Sequence, residues 1–431
     1  MGFKKVVKIF IPRRLFGVIE PTGHLVESFI WNLIYGFPAR GMKVIGVTGT
    51  NGKTTTSHLI HKMLSEAGLR TGIMTTLGYG VGEVRPQVHH VTNVGPHELM
   101  KRLKWMKSQN IDWLVLETTS HALAQHRVWG VPYSVAIMTN VTHEHLDYHK
   151  TFERYRDAKR RLFKLASSNK KGLQLGILNA EDPSADLFAA DSLNSLTYGI
   201  DAGMIRATNV ELASSGVSYR VEYAGKTYQI KCNLPGKFNV YNSLAVAGLG
   251  IKLGLSPEQI EKGILALEGV EGRMTRINEG QDYDVIVDFA HTPDSFEKLF
   301  KDLKPVVKGK LIVMFGSAGR RDETKRAVQG ELAGQYADEV VITEEDDRDE
   351  DGNKILNQVA SGAEKTGKVK DKDLFLVHDR TEAVNFVIRR AKPGDTVLLL
   401  GKGHEKTIER ANGENPWDEV KTAKEAIASR V

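Results

Sequence analysis

Apolar residues along this chain fall into short continuous runs separated by amphipathic stretches, the rhythm of strands alternating with helices. Val44-Ile45-Gly46-Val47, Trp113-Leu114-Val115-Leu116 and Ser134-Val135-Ala136-Ile137-Met138 read as strands covered on both faces, and Ser57 to Ala67 reads as a helix between the first two. That order predicts a parallel sheet with its ligand edge at the strand C-termini, where Glu117 and Asn140 would lie. Val217, Tyr219, Val221 and Tyr223 instead alternate with polar residues, and Ala224-Gly225 supplies a turn. Tyr228, Ile230 and Cys232 then resume the alternation, which predicts an antiparallel hairpin appended to the parallel sheet. A helix is expected from Asn242 to Leu253.

After Gly272 the rhythm restarts, with apolar runs at Val285-Ile286-Val287, Leu311-Ile312-Val313-Met314-Phe315, Val340-Val341-Ile342 and Val397-Leu398-Leu399-Leu400. Helical patterns such as Phe296 to Leu303 and Glu382 to Arg390 separate them, which predicts a second, smaller, doubly wound α/β domain. The expected division is a short segment over 1–42, a central domain over 43–272 and a C-terminal domain over 273–431. In the short segment, Leu25, Val26, Phe29, Ile30, Leu33 and Ile34 fall at helical spacing with Trp31 and Tyr35 beside them. This reads as a helix docked on the main body by its apolar face. The alternative is an interfacial membrane contact, because Lys4, Lys5, Lys8, Arg13 and Arg14 lie among Phe3, Ile9, Phe10 and Phe16.

The stretch Val44 to Thr56, VIGVTGTNGKTTT, carries the first chemistry. A strand, a glycine turn and a helix start in that order make a phosphate cradle. Loop amides and the helix N-terminus present N–H groups to a polyphosphate, while Lys53 reaches the terminal phosphates and the Thr54 hydroxyl can ligate Mg²⁺. Val47 stands where the generic G-x-x-x-x-G-K-[ST] template has its first glycine, so the match is to the narrower TGTNGKTT.

Composition narrows the class further. A chain of 431 residues has room for two or three domains, and 41% hydrophobic residues suffice for large cores. The one cysteine, Cys232, excludes an internal disulfide framework and a cysteine-based zinc site, and a reducing cytoplasm follows as the expected compartment. The net charge of +6 favours anionic ligands, yet no basic stripe is interleaved with aromatics, so nucleic acid is not expected as a partner. No run is long enough to cross a bilayer, and the N-terminus lacks a signal-peptide pattern.

Three further runs accompany the phosphate loop. They are Leu116-Glu117-Thr118-Thr119-Ser120-His121-Ala122-Leu123-Ala124-Gln125-His126-Arg127, Asn140-Val141-Thr142-His143-Glu144-His145-Leu146-Asp147-Tyr148-His149 and Tyr155-Arg156-Asp157-Ala158-Lys159-Arg160-Arg161-Leu162-Phe163. With them the chain, from about Val44 onward, resembles the Mur ligases of peptidoglycan synthesis, most closely the MurE-type muramyl tripeptide synthetases. The resemblance implies an ATP-dependent amide ligase in which a substrate carboxylate attacks the γ-phosphate and an amine then attacks the acyl phosphate. By the same resemblance, Gly49, Thr50, Asn51, Gly52, Lys53, Thr54 and Thr55 hold the triphosphate. Glu117 with Thr54 ligates one Mg²⁺, and His145 with a carbamylated Lys159 serves a second. A carbamate would turn a cationic amine into an oxygen ligand suited to a hard cation.

The resemblance also implies Asn93, Thr119, Gln125 and Arg127 as contacts for the muramyl peptide, and Asn242, Arg273 and Asp288 for the rest of the nucleotide. Arg321, Glu345, Asp346, Arg348, Gly401 and Glu405 are implied for the incoming amino acid. Two departures stand out. Asn93-Val94-Gly95-Pro96 replaces the family's Asn-Thr-Thr, and Glu345-Asp346-Asp347-Arg348 replaces the Asp-Asn-Pro-Arg of enzymes that add meso-diaminopimelate. Arg348 favours a second carboxylate and hence diaminopimelate, whereas the added acids favour a plain ammonium such as that of lysine. The family's separate uridine-holding domain has no counterpart in the short segment before Val44. The acceptor is then gripped with little uridine contact, completed by a partner, or lipid-linked and met through residues 1–41. A monomer is expected. A folylpolyglutamate-synthase-like ligase and a non-ligating ATP-dependent switch are the competing readings.

Overall fold

The computed structural model describes residues 13–87, 92–213 and 215–430, so Phe3, Lys4, Lys5, Lys8, Ile9 and Phe10 lie outside the described residues. The chain divides into two compact units. The first comprises Met1–Val210, Ser218–Cys232 and Val240–Leu267, and the second Glu211–Val217, Asn233–Asn239 and Glu268–Val431.

The first unit is built on a sheet of eleven strands. In chain order these are β1 (Val44–Thr48), β2 (Thr71–Met74), β3 (Gly78–Val81), β4 (Glu83–Pro86), β5 (Trp113–Glu117), β6 (Tyr133–Met138), β7 (Leu175–Asn179), β8 (Asn194–Gly199), β9 (Ile205–Ala213), β10 (Gly216–Tyr223) and β11 (Lys226–Cys232). Across the sheet they run β11-β10-β9-β8-β7-β6-β1-β5-β2-β3-β4. Every residue of β1, β5, β6 and β7 is buried, which is why these strands read as unbroken apolar runs. β1 pairs in parallel with both β5 and β6, with Val47 opposite Glu117 and Thr48 opposite Met138. The loop after β1 is therefore level with the ends of its two neighbours.

The hairpin of β10 and β11 forms as its alternation predicts, with Val217, Tyr219, Val221, Tyr228, Ile230 and Cys232 buried. Its turn residues Ala224 and Gly225 have φ of 50° and 73°, the positive values that a tight hairpin turn demands. It is appended to the parallel sheet as expected. β9 pairs in parallel with β8, so the hairpin continues the main sheet. At the opposite edge β2, β3 and β4 form an antiparallel meander that the sequence reading did not contain.

Three helices of this unit frame the loop after β1. Helix Lys53–Glu66 begins at Lys53, earlier than the expected Ser57, because Gly52 adopts a left-handed cap and Thr54, Thr55 and Thr56 are buried rather than frayed. Helix Phe152–Ser168 is capped by the Thr151 side chain, which accepts from Arg154 N. It buries Tyr155, Lys159, Leu162, Phe163 and Ala166 along one stripe, so a lysine sits inside an apolar face. Helix Lys237–Lys252 starts before the expected Asn242.

The helix ahead of β1, Arg13–Ile34, does dock, but not by the expected face. Ser28 and Asn32 are fully buried, whereas Val26, Phe29, Ile30, Leu33 and Ile34 are 46 to 62% exposed. Ser28 Oγ donates to His126 O at 3.0 Å, and Asn32 Nδ2 donates to Trp129 O at 3.2 Å. Backbone carbonyls of the 126–129 turn draw the polar side of the helix inward, and the apolar stripe faces out.

The second unit carries β12 (Thr275–Ile277), β13 (Asp284–Asp288), β14 (Leu311–Phe315), β15 (Glu339–Ile342), β16 (Leu374–Leu376) and β17 (Thr396–Leu400) in the order β12-β13-β17-β14-β15-β16. All pairs are parallel except β12 with β13. Alternate residues feed opposite cores. Ile286, Val313, Phe315, Val340 and Leu398 pack with Phe296 and Phe300, while Val285, Val287, Ile312, Met314, Val341 and Val397 pack with Val384 and Ile388. This is a doubly wound sheet. Asp288 pairs with Leu400, and Phe315 with Ile342, so the segments that follow these strands emerge at one edge.

Candidate active site

In the first unit the loop after β1 is strapped to the end of β6. Thr50 N donates to Asn140 O at 2.7 Å, Asn51 N donates to Asn140 Oδ1 at 2.9 Å, and Thr139 Oγ1 donates to Asn51 O at 2.6 Å. Its two glycines are required by the space around them. A Cβ on Gly49 would lie 1.9 Å from Thr139 Oγ1, and one on Gly52, at φ +82°, would lie 2.4 Å from Asn242 Oδ1. Asn242 thus touches the loop from helix Lys237–Lys252, and it also accepts from Thr56 Oγ1 at 3.3 Å. Lys53 Nζ folds back to Thr50 O at 2.7 Å, and Thr55 is buried beside Thr54. The cradle fits a polyphosphate: its walls exclude a Cβ, and a helix opens at Lys53.

Glu117, at the end of β5, is 1% exposed. Thr54 Oγ1 reaches its two oxygens at 3.1 and 3.0 Å, and Thr76 adds its N–H at 3.0 Å and its hydroxyl at 3.2 Å. A buried carboxylate fed by hydroxyls and an amide is suited to hold a cation.

Lys159 is 2% exposed, and its Nζ donates to Gly49 O at 2.5 Å. Burial pushes its pKa well below the usual lysine range, and the charge of nearby Lys53 pushes the same way against the pull of Glu144 and Glu117. The amine is therefore biased toward its neutral, nucleophilic form. Its ammonium position stands 4.5 Å from the Tyr155 ring centroid, and the His145 ring lies 6.1 Å from the same ring. His145 itself has φ 56°, an exposed ring, and Glu144 Oε2 at 3.6 Å. Among the described residues no three His, Cys, Asp or Glu side chains converge as a metal cage.

Three of the four residues expected to meet the muramyl peptide, Asn93, Thr119 and Arg127, form one network beside Glu117. Asn93 Nδ2 donates to Glu117 O at 2.7 Å, and Asn93 Oδ1 accepts from Thr119 N and Oγ1, both at 2.9 Å. Arg127 Nη1 donates to Asn93 O at 3.1 Å. Gln125 Oε1 and Arg127 Nε are buried with no hydrogen-bond partner among the described residues. Buried polar atoms left open in this way are what a bound polar ligand would satisfy.

In the second unit, Asp288 accepts from Met274 N and Ala290 N, both at 2.8 Å. Burial raises its pKa against the opposing pull of Arg273, those amides and His291. The Arg273 guanidinium lies over the Phe289 ring at 4.7 Å.

The four-residue run expected to choose the amino acid is resolved side chain by side chain. Glu345 is buried with Oε2 open and would lie 3.2 Å from a Cβ on Gly401; burial raises its pKa. Asp346 accepts from Lys402 Nζ at 2.9 Å and from Glu409 N at 2.8 Å, and Lys402 also meets Glu405 at 2.5 Å. Asp347 Oδ2 lies 2.7 Å from His378 Nε2. Arg348 Nε donates to Glu409 Oε2 at 2.8 Å, while Arg321 is exposed on the loop after β14. Asp346 and Asp347 thus have basic partners within the unit, and Arg348 has an acidic one.

Several participants escaped the sequence reading. Thr76 and Tyr155 shape the sites of Glu117 and Lys159, and Lys402 holds Asp346. Tyr155 had a signal, since it lies four residues before Lys159 and so on the same helix face. Thr76 had only its place just beyond an apolar strand.

Comparison with known proteins agrees with this geometry. The family model for the Mur ligase middle domain matches residues 47–250, and that for the Mur ligase, glutamate ligase domain matches residues 272–403. A UDP-N-acetylmuramyl-tripeptide synthetase of Roseiflexus sp. is 40% identical over 422 residues, covering 95% of this chain and 83% of that protein. The match therefore extends ahead of Val44. A UDP-N-acetylmuramoyl-L-alanyl-D-glutamate–2,6-diaminopimelate ligase of Bacillus velezensis is 38% identical over 93% of this chain and 81% of its own length. A solved structure of a ligase with the same printed name superposes with a TM-score of 0.67 at 29% identity, covering 96% of this chain and 83% of that one. Cradle, buried carboxylate and matching sequence together make this chain a member of the Mur ligase family, an ATP-dependent, ADP-forming ligase of MurE type.

Proposed function

We propose that the protein joins a diamino acid, meso-diaminopimelate in the first place, to UDP-MurNAc-L-Ala-D-Glu or a related muramyl dipeptide. The observation that carries the reading is the clustering of Glu117, Thr54, Lys53 and neutral-leaning Lys159 around one phosphate loop. The acceptor carboxylate attacks the γ-phosphorus and ADP leaves. The amine of the amino acid then attacks the acyl carbon, phosphate leaves, and the amine gives up a proton. Two anions must meet in the first step, so the site needs concentrated positive charge. Lys53 and the helix N-terminus at Lys53 supply part of it. Magnesium, held by Thr54 and Glu117 at one position and by His145 and a carbamate of Lys159 at the other, would supply the remainder when bound.

Asn93, Thr119, Gln125 and Arg127 orient the muramyl dipeptide in this reading, and Asn242, Arg273 and Asp288 contact the nucleotide. Arg321, Glu345, Asp346, Arg348, Gly401 and Glu405 receive the amino acid. Diaminopimelate is placed ahead of lysine because relatives are diaminopimelate ligases by name, and Arg348, whose Nε is held by Glu409, offers a planar guanidinium for a second carboxylate. Functional domains over 43–272 and 273–431 belong to the same proposal, as does a monomeric protein.

Phosphate release from ATP and Mg²⁺ tests it. Turnover should require both the muramyl dipeptide and an amino acid, with diaminopimelate above lysine. Turnover without an amino acid would support the switch, and stimulation by a pteroylglutamate with glutamate would support the folate ligase.

A further inference from the structure

Helix Arg13–Ile34 is turned inside out relative to an ordinary surface helix. Its polar side, Ser28 and Asn32, is fully buried, and Val26, Phe29, Ile30, Leu33 and Ile34 form one outward stripe at positions i, i+3, i+4, i+7 and i+8 with exposures of 46 to 62%. The acids described on this helix, Glu20 and Glu27, act on Arg127 of the main body rather than breaking up the stripe. The stripe's C-terminal end is edged by cations. The Lys104 ammonium stands 5.8 Å from the Tyr35 ring, and exposed Lys107 donates to the carbonyl of Arg40 at 3.1 Å.

Charge decides what such a face meets. Lys4, Lys5 and Lys8 come before the helix in the sequence, Arg13 and Arg14 are its first residues, and residues 1–19 contain no acid. No described helix is long and apolar enough to cross a membrane. An apolar stripe on a helix that cannot span, preceded by an unbroken set of cations, is the arrangement that lies in the interface of an anionic bilayer. A second copy of the chain is a poorer occupant, because it would bring two such cationic segments together. We propose that this helix seats the enzyme on an anionic lipid surface, its apolar stripe in the acyl boundary, with the cationic sequence at its start the source of the preference for anionic lipid.

The test is flotation of the full chain with vesicles of pure phosphatidylcholine and of phosphatidylcholine mixed with phosphatidylglycerol. The protein is expected to float with the anionic vesicles and to be released by high salt. The double variant Ile30→Asp, Leu33→Asp should lose roughly tenfold or more of that binding, since it removes two aliphatic side chains that the bilayer would cover. Both residues are exposed, so its circular dichroism and melting temperature should match the parent. Lys4→Gln, Lys5→Gln, Lys8→Gln should abolish the preference for phosphatidylglycerol. Absence of flotation, equal binding to both vesicles, or parent-like binding by the aspartate variant would overturn the proposal. So would a dimer in sedimentation that the aspartate variant dissociates.

Discussion

Lys159 shows how an ordinary side chain becomes a chemical one. A lysine in the middle of an apolar helical stripe cannot keep its proton cheaply, and carbon dioxide reacts only with the neutral amine. Lys159→Ala is expected to abolish ligation with little change in fold. Labelled bicarbonate should give a carbamate carbon signal in the parent by NMR that is absent in Lys159→Arg. Lys53→Ala is likewise expected to abolish ligation, and near-normal activity of either alanine variant would refute its role. A different, partly buried base contributes to the pH response of stability. Burial, and then His61, lowers the His58 pKa to about 4 from 6.5. Between those values the unfolded chain binds the proton and the folded one does not. The contribution is thus complete above pH 6.5 and is lost as pH falls toward 4, at most on the order of 3 kcal/mol. Urea midpoints across that window should show the slope, and His58→Gln should flatten it.

The helices and strands carry consequences of their own. Asn32 fastens helix Arg13–Ile34 to the body through the carbonyl of Trp129, and its replacement by Ala leaves that part-buried carbonyl without its donor. A cost of about 1–3 kcal/mol is expected, seen as faster proteolysis of that helix before any loss of the sheet. In the second unit the start of helix Arg380–Arg390 is tied to helix Glu419–Ala428 by a fully buried ion pair. Arg380 Nε and Nη2 donate to the two Glu419 oxygens at 2.9 and 2.8 Å. Arg380→Met should destabilise this unit by roughly 3–5 kcal/mol, because it strands a buried carboxylate. Arg380→Met with Glu419→Leu should recover much of that in thermal melts.

For the molecule as a whole, ligation and stability are linked through ATP. Nucleotide that binds only the folded chain stabilises it by about 2.7 kcal/mol at a hundredfold excess over its Kd, so ATP with Mg²⁺ should raise the melting temperature. Gly52→Ala should lose that shift, since its Cβ would fall 2.4 Å from Asn242 Oδ1 in a left-handed backbone. Much of this protein is legible in its sequence. The α/β architecture followed from buried apolar runs, since a strand covered on both faces has no polar positions to spare, and the phosphate loop followed from glycines that nothing larger can replace. Even the placement of Glu117 and Asn140 at one sheet edge followed from their position after those runs. What local pattern could not reveal are the pairings made across long sequence separations. The Thr76 clamp on Glu117 and the partners of Asp346 and Asp347 are both of this kind. The first helix shows the limit most plainly: periodicity identifies its apolar stripe, but the carbonyls of a turn about a hundred residues away determine that the other side is buried. Hydrogen-bond partners distant in sequence leave no periodic trace, so only the folded chain discloses them.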